Sequence, residues 1–169
     1  MSVRRFGLEA PGRPAPPWTV RQWFNTAQPL ALEALRGRVV ALHAFQMLCP
    51  GCVQHALPQA QRLHALFGPA GVAVIGLHTV FEHHEAMQPV ALAAFLHEWR
   101  IGFPVGIDAP SDDAHDPVPR TMRAYGLQGT PSLLLIDGQG HLRWHGFGAA
   151  DDMAVSAAVA TLLAEAPAR

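Results

Sequence analysis

Lysine is missing from this sequence: all twelve of its Lys-plus-Arg side chains are arginine. Charge of either sign is also scarce, with charged residues making up 15% of the chain and a formal net charge of -1 with histidine neutral. A surface that grips phosphate backbones needs a basic patch or stripe, so nucleic acid is excluded as a partner. Long apolar runs are absent too. Nothing approaches the roughly 18 to 20 consecutive apolar residues that span a bilayer, and no membrane association is expected. Ser2-Val3-Arg4-Arg5-Phe6 looks superficially like the start of a twin-arginine export signal, but Glu9, Pro11, Gly12, Arg13 and Pro14 stand where its apolar stretch would be. The expected location is therefore cytoplasmic. Only two cysteines occur, Cys49 and Cys52. That is too few for the disulfide framework of a small secreted domain, so they serve chemistry or nothing.

What is present suffices for one core. With 169 residues, half of them hydrophobic, the chain can bury a single good core and little more. The division expected is an extended arm over 1–17 and one domain over 18–169. Prolines 11, 14, 16 and 17 make the lead-in polyproline-like. Trp18 to Phe24 reads as a short strand forming a marginal hairpin with Leu30 to Leu35. Val39 to Phe45 is apolar on both faces, as a central parallel strand should be.

From Pro50 to Phe67, the positions of Val53, Ala56, Leu57, Ala60, Leu63 and Phe67 mark one helical face, and Pro58 predicts a kink. Val72 to Leu77 is a second buried strand. Pro89 opens a helix with Leu92, Phe95, Leu96 and Trp99 on one side; Trp99, like Trp144, is most simply core. Phe103 to Ile107 reads as a short added strand. A polar loop and a short helix ending near Tyr125-Gly126 follow, as an insertion between core elements. Ser132 to Ile136 and Leu142 to Phe147, joined by Asp137-Gly138-Gln139-Gly140, form a hairpin, and a last amphipathic helix carries Val155, Val159, Leu162 and Leu163. Parallel pairing followed by a terminal antiparallel hairpin makes this an α/β chain.

Cys49-Pro50-Gly51-Cys52 falls where a buried strand gives way to a helix. Unpaired backbone N–H groups and the helix dipole favour thiolate at such a terminus, which makes Cys49 the nucleophile. Cys52, one turn further on and more buried, is placed to attack the mixed disulfide. Pro50 suits the first helical turn, and Gly51 leaves room for a substrate backbone. A Cys-x-x-Cys pair is also half of many zinc sites, and His43, His55 or His78 could supply further ligands. A structural zinc site needs four, however, and there is no second cysteine pair, so no metal is assigned.

These cysteines after a buried strand, together with Gly129-Thr130-Pro131 opening the strand from Ser132, give a chain that resembles the thioredoxin superfamily. Within it, the chain is similar to the TlpA-like and redoxin-type thiol-disulfide oxidoreductases, which are related to AhpC/TSA-type peroxiredoxin-like domains. The resemblance implies a thioredoxin fold, a central mixed sheet flanked by helices, here with an N-terminal extension and an insertion before the cis-proline strand. It also implies a cis Pro131 packed against the cysteines, with Thr130 offering backbone groups to an extended substrate.

The implied activity is thiol-disulfide exchange without cofactor or metal. Its partners are a disulfide-containing protein or small-thiol substrate and an electron donor. Leu48 stands where most of these proteins have Trp, which makes the rim of the thiol apolar but less aromatic. Pro58 is one position later than is typical. His43 occupies the place of a buried carboxylate that moves the resolving thiol's proton; it takes that role here or is a core histidine. A peroxiredoxin would have Thr or Ser three residues before its cysteine and Pro seven before, where this chain has Gln46 and Leu42. Sco-like copper delivery would need a wider cysteine spacing. A redox-sensitive docking module remains the non-catalytic alternative. His83 and His84 lie on a loop that the fold could bring near the active-site end, although a solvated loop is the simpler reading.

Overall fold

The computed structural model describes residues 7–10 and 12–165; Ser2 to Phe6, with the export-like arginines, lie outside them. Seven strands form one sheet in the order β1-β7-β6-β3-β4-β5-β2. At its centre are β3 (Val40–Phe45) and β4 (Ala73–His78). They run parallel with Val40 opposite Ala73 and Phe45 opposite His78. Every residue of both strands is buried, which explains why neither alternates polar with apolar. Pairing of β5 (Val105–Asp108) with β4 is also parallel. Two antiparallel strands, β6 (Ser132–Ile136) and β7 (His141–Phe147), extend the other side.

The two sheet faces carry separate cores. Val39, Ala41 and Phe45 pack with Leu57, Ala60 and Leu63 of α1 (Leu57–Phe67) and with Val155, Val159 and Leu162 of α4 (Asp152–Glu165). Val40, Leu42 and Ala44 pack on the opposite face with Leu32, Leu35, Met122 and Tyr125. The last two belong to α3 (Arg120–Tyr125). The fold is thus the α/β arrangement expected, with helices on both faces of a mixed sheet.

Two local expectations are corrected, and a third takes a specific form. The N-terminal hairpin does not form. Leu32–Leu35 is a 3-10 turn with both leucines buried, and β2 (Val20–Phe24) instead pairs antiparallel with β5. Gly106 makes that pairing possible, because a Cβ there would lie 2.8 Å from the Val20 side chain. Asn25 then donates to the carbonyls of Ile101 and Phe103 at 2.7 and 3.1 Å. Trp99 is not core: it caps α2 (Pro89–Glu98), is 50% exposed, and lies with its ring 5.8 Å from that of Phe95. Finally, the Pro58 kink is a π-turn over Cys52–Ala56, with the Leu57 N–H reaching the Cys52 carbonyl. Pro58 has no N–H to donate four residues back, and a wide turn keeps its ring off the preceding carbonyls.

The lead-in is laid along β7. β1 (Arg13–Pro14) pairs with Leu142 and His141 at the sheet edge, where proline is tolerated, and Leu8 is buried in the core.

Candidate active site

β3 ends at a tight turn in which the Cys49 N–H donates to the Gln46 carbonyl at 3.1 Å. The turn leaves Leu48 54% exposed and Cys49 half-buried, while Cys52 is 0% exposed. The Val53 N–H donates to the Cys49 carbonyl at 3.1 Å, so Cys49 caps the helical segment and Pro50 occupies its first position, where a missing N–H costs nothing. Both cysteines are free thiols. The Cys52 N–H donates to Cys49 Sγ at 3.3 Å, and Sγ lies 3.5 Å from the Thr130 carbonyl oxygen. Burial first, and then the neighbouring Cys49, push the Cys52 thiol up to about 12. The two sulfurs therefore differ in access, Cys49 being half-buried and Cys52 fully buried.

Thr130–Pro131 is a cis peptide. Its loop is fixed by the Ser132 hydroxyl donating to the Gly129 carbonyl and by the Gly148 N–H donating to the Pro131 carbonyl, both at 2.8 Å. A Cβ on Gly51 would come within 3.3 Å of Pro131 Cδ, so glycine lets the helix start and the proline ring approach each other. Leu48, Cys49, Pro50, Gly51, Cys52, Thr130 and Pro131 thus fall at one end of the sheet.

Phe147 joins them, and nothing local in the sequence marked it. It is 59% exposed, and its ring would be 2.9 Å from a Cβ on Gly129. Its only sequence signal was an aromatic residue at the end of the final hairpin.

His43 is buried on β3, and burial lowers its imidazole to about 4. Its Nε2 has no hydrogen-bond partner among the described residues. It lines a cavity of about 340 Å3 with Pro131, Ser132, His55 and Gln59. His78 lies at the end of β4, while His55 is exposed on the π-turn. Among the described residues no group of three or more His, Cys, Asp or Glu is gathered to hold a metal ion. His83 and His84 are exposed. Their loop is tied to the active-site turn through Gln46, which accepts from the Phe81 N–H and donates to Glu82, both at 3.2 Å.

A mixed sheet of this order, with paired cysteines at the end of its central strand and helices on both faces, defines a thioredoxin-like thiol-disulfide oxidoreductase. The chain belongs to the AhpC/TSA family, whose model matches residues 11–145. Among solved structures, it is 57% identical to the thioredoxin-like superfamily protein SPOA0173, with a TM-score of 0.86 over 89% of this chain and 96% of that one. It is 46% identical to a thiol-disulfide isomerase from Corynebacterium glutamicum, with a TM-score of 0.82 over 88% and 96% of the two chains. It is also 30% identical over 146 residues to Protein DipZ of Mycobacterium bovis, covering 85% of this chain but only 20% of that protein. Among the described residues no helix is long and apolar enough to cross a membrane.

Proposed function

We propose that the chain exchanges dithiol for disulfide through Cys49 and Cys52, acting on protein or small-molecule disulfides. Cys49 thiolate attacks one substrate sulfur, the other sulfur leaves as thiolate, and a mixed disulfide results. Cys52 then loses its proton and attacks Cys49 Sγ, releasing the substrate's second thiol and closing the Cys49–Cys52 disulfide. A thiol donor must reopen it, and in a reducing compartment such as the cytoplasm the reaction runs as disulfide reduction. The observation that carries this reading is the asymmetry of the pair. Cys49 is reachable and accepts an N–H from the helix start, whereas Cys52 is buried with its thiol held neutral.

The other site residues take roles consistent with their positions. Thr130 would offer backbone groups to an extended substrate beside Pro131, with Leu48, Pro50 and Gly51 forming the opposite rim. His43, neutral at physiological pH, would receive the Cys52 proton. Its low basicity requires that transfer be concerted with sulfur attack. Unchanged exchange rates in His43→Ala would remove that role.

Family membership favours a second reading, direct peroxide reduction. Against it, the position three residues before Cys49 is Gln46, whose amide is already engaged with Phe81 and Glu82. Catalysed reduction of a generic protein disulfide, with dithiothreitol as donor, tests the first reading. Many turnovers per chain are expected; a single stoichiometric exchange would mark a redox-sensitive docking module instead.

A further inference from the structure

The turn that presents Leu48 and Cys49 is held from the side of β4 by a buried histidine. His78 is 0% exposed, its ring centroid is 5.2 Å from that of Phe45, and its Nε2 accepts the Met47 N–H at 3.3 Å. Met47 is the first central residue of the turn closed by Cys49 N–H and Gln46 O. Because Nε2 accepts, the proton of the neutral ring sits on Nδ1, and Nδ1 has no partner among the described residues. An apolar ring would avoid that buried unsatisfied donor. The acceptor is therefore what distinguishes histidine from phenylalanine at this position.

Resting on the dithiol reading above, we propose that His78 is a positioning residue for thiol exchange: its Nε2 fixes the Met47 amide and so holds Cys49 in place over Cys52. Burial, and then the nearby Arg21 charge, lower the imidazole to about 4, so the accepting lone pair is kept at neutral pH. Gln46, the residue before Met47, is itself held by the Phe81 N–H and the Glu82 carboxylate. The turn is thus pinned at two successive positions, to the end of β4 and to the segment that follows it. Without the Nε2 contact the Met47 amide is left unpaired, and Cys49 is less confined relative to Cys52. Closing the disulfide then becomes less favourable.

Two measurements test this. In the native protein, nitrogen-15 NMR of the imidazoles reads the tautomer directly. The Nδ1–H form is expected for His78 at pH 7, and an Nε2–H form would overturn the proposal whether or not any variant folds. In folded His78→Phe, which keeps the aromatic contact with Phe45, the dithiol–disulfide equilibrium constant in defined thiol buffers is expected to shift about tenfold toward dithiol. That shift corresponds to a midpoint about 30 mV less negative. His78→Gln, whose Oε1 can accept in place of Nε2, is expected to recover most of it. A constant within twofold of wild type in His78→Phe, or an equal shift in both variants, would overturn the proposal. If the wild-type cysteines never close a disulfide, the dithiol reading fails by itself, and the tautomer still decides whether His78 holds Met47.

Discussion

Treating the reduced protein with iodoacetamide at pH 7 tests how far burial and a raised pKa protect Cys52. The Cys52 thiol is pushed up to about 12, which leaves a thiolate fraction of about 10^-5 at pH 7. An ordinary thiol near pKa 8.5 has roughly 3%. Since the thiolate is the nucleophile, Cys52 is slower than an ordinary thiol by about three orders of magnitude before its complete burial is counted. Cys49, half-buried at the helix start, has no such barrier of access. Because the chain lacks lysine, trypsin releases both cysteines on one peptide, Val39 to Arg62, and tandem mass spectrometry places the label within it. One equivalent on Cys49 is expected under native conditions, with Cys52 labelled only in denaturant. Raising the pH from 7 to 9 should speed Cys52 by about tenfold per unit and still leave it far behind. Native labelling of Cys52 within tenfold of Cys49 would refute the reasoning.

Acid should weaken the fold through the buried histidines. His43 and His78 titrate near 4 when folded, with burial the largest cause for each, against about 6.5 unfolded. The unfolded state therefore binds more protons as pH falls through that window, and stability present above 6.5 is lost toward 4. From pH 7 to 5 each histidine should cost about 2 kcal/mol. Asp108, whose carboxyl burial pushes up, acts in the opposite sense, so the net loss is smaller. A urea midpoint that stays flat between pH 7 and 5 would contradict this.

Leu134→Ala, at a fully buried position of β6, should destabilise by about 2 to 5 kcal/mol, read as a lower urea midpoint at unchanged slope. Phe147→Ala should leave stability within about 0.5 kcal/mol, as exposed positions do. It should raise KM for a protein disulfide more than for a small-molecule disulfide; an equal change in KM for both, or none, would place Phe147 outside the substrate rim.

Elements with a local signature were legible in the sequence. Val39 to Phe45 is apolar on both faces because both faces are covered, and the Ser132 to Phe147 hairpin declared itself through its turn. The cysteine pair and Thr130-Pro131 each marked a strand boundary. What failed depended on distant partners. Nothing near Val20 to Phe24 says that the open edge of β5 will take it, and only the fit at Gly106 decides that. Trp99 follows the periodicity of its helix, but at the cap that face has run past the core. His78 stands one residue past the expected strand Val72 to Leu77, and its bond to Met47 joins the end of β4 to the turn after β3, so no spacing rule reports it. Phe147 reaches Gly129 only once β7 has folded back along β6.

The most direct test of the proposed chemistry is trapping with Cys52→Ser. Incubated with a disulfide substrate, this variant should accumulate a stable mixed disulfide on Cys49. The wild-type protein, under the same conditions, should release free substrate thiol and close the Cys49–Cys52 disulfide. Absence of a Cys49 adduct in the variant, or an equally persistent adduct in wild type, would contradict the assignment of Cys49 as attacking and Cys52 as resolving thiol.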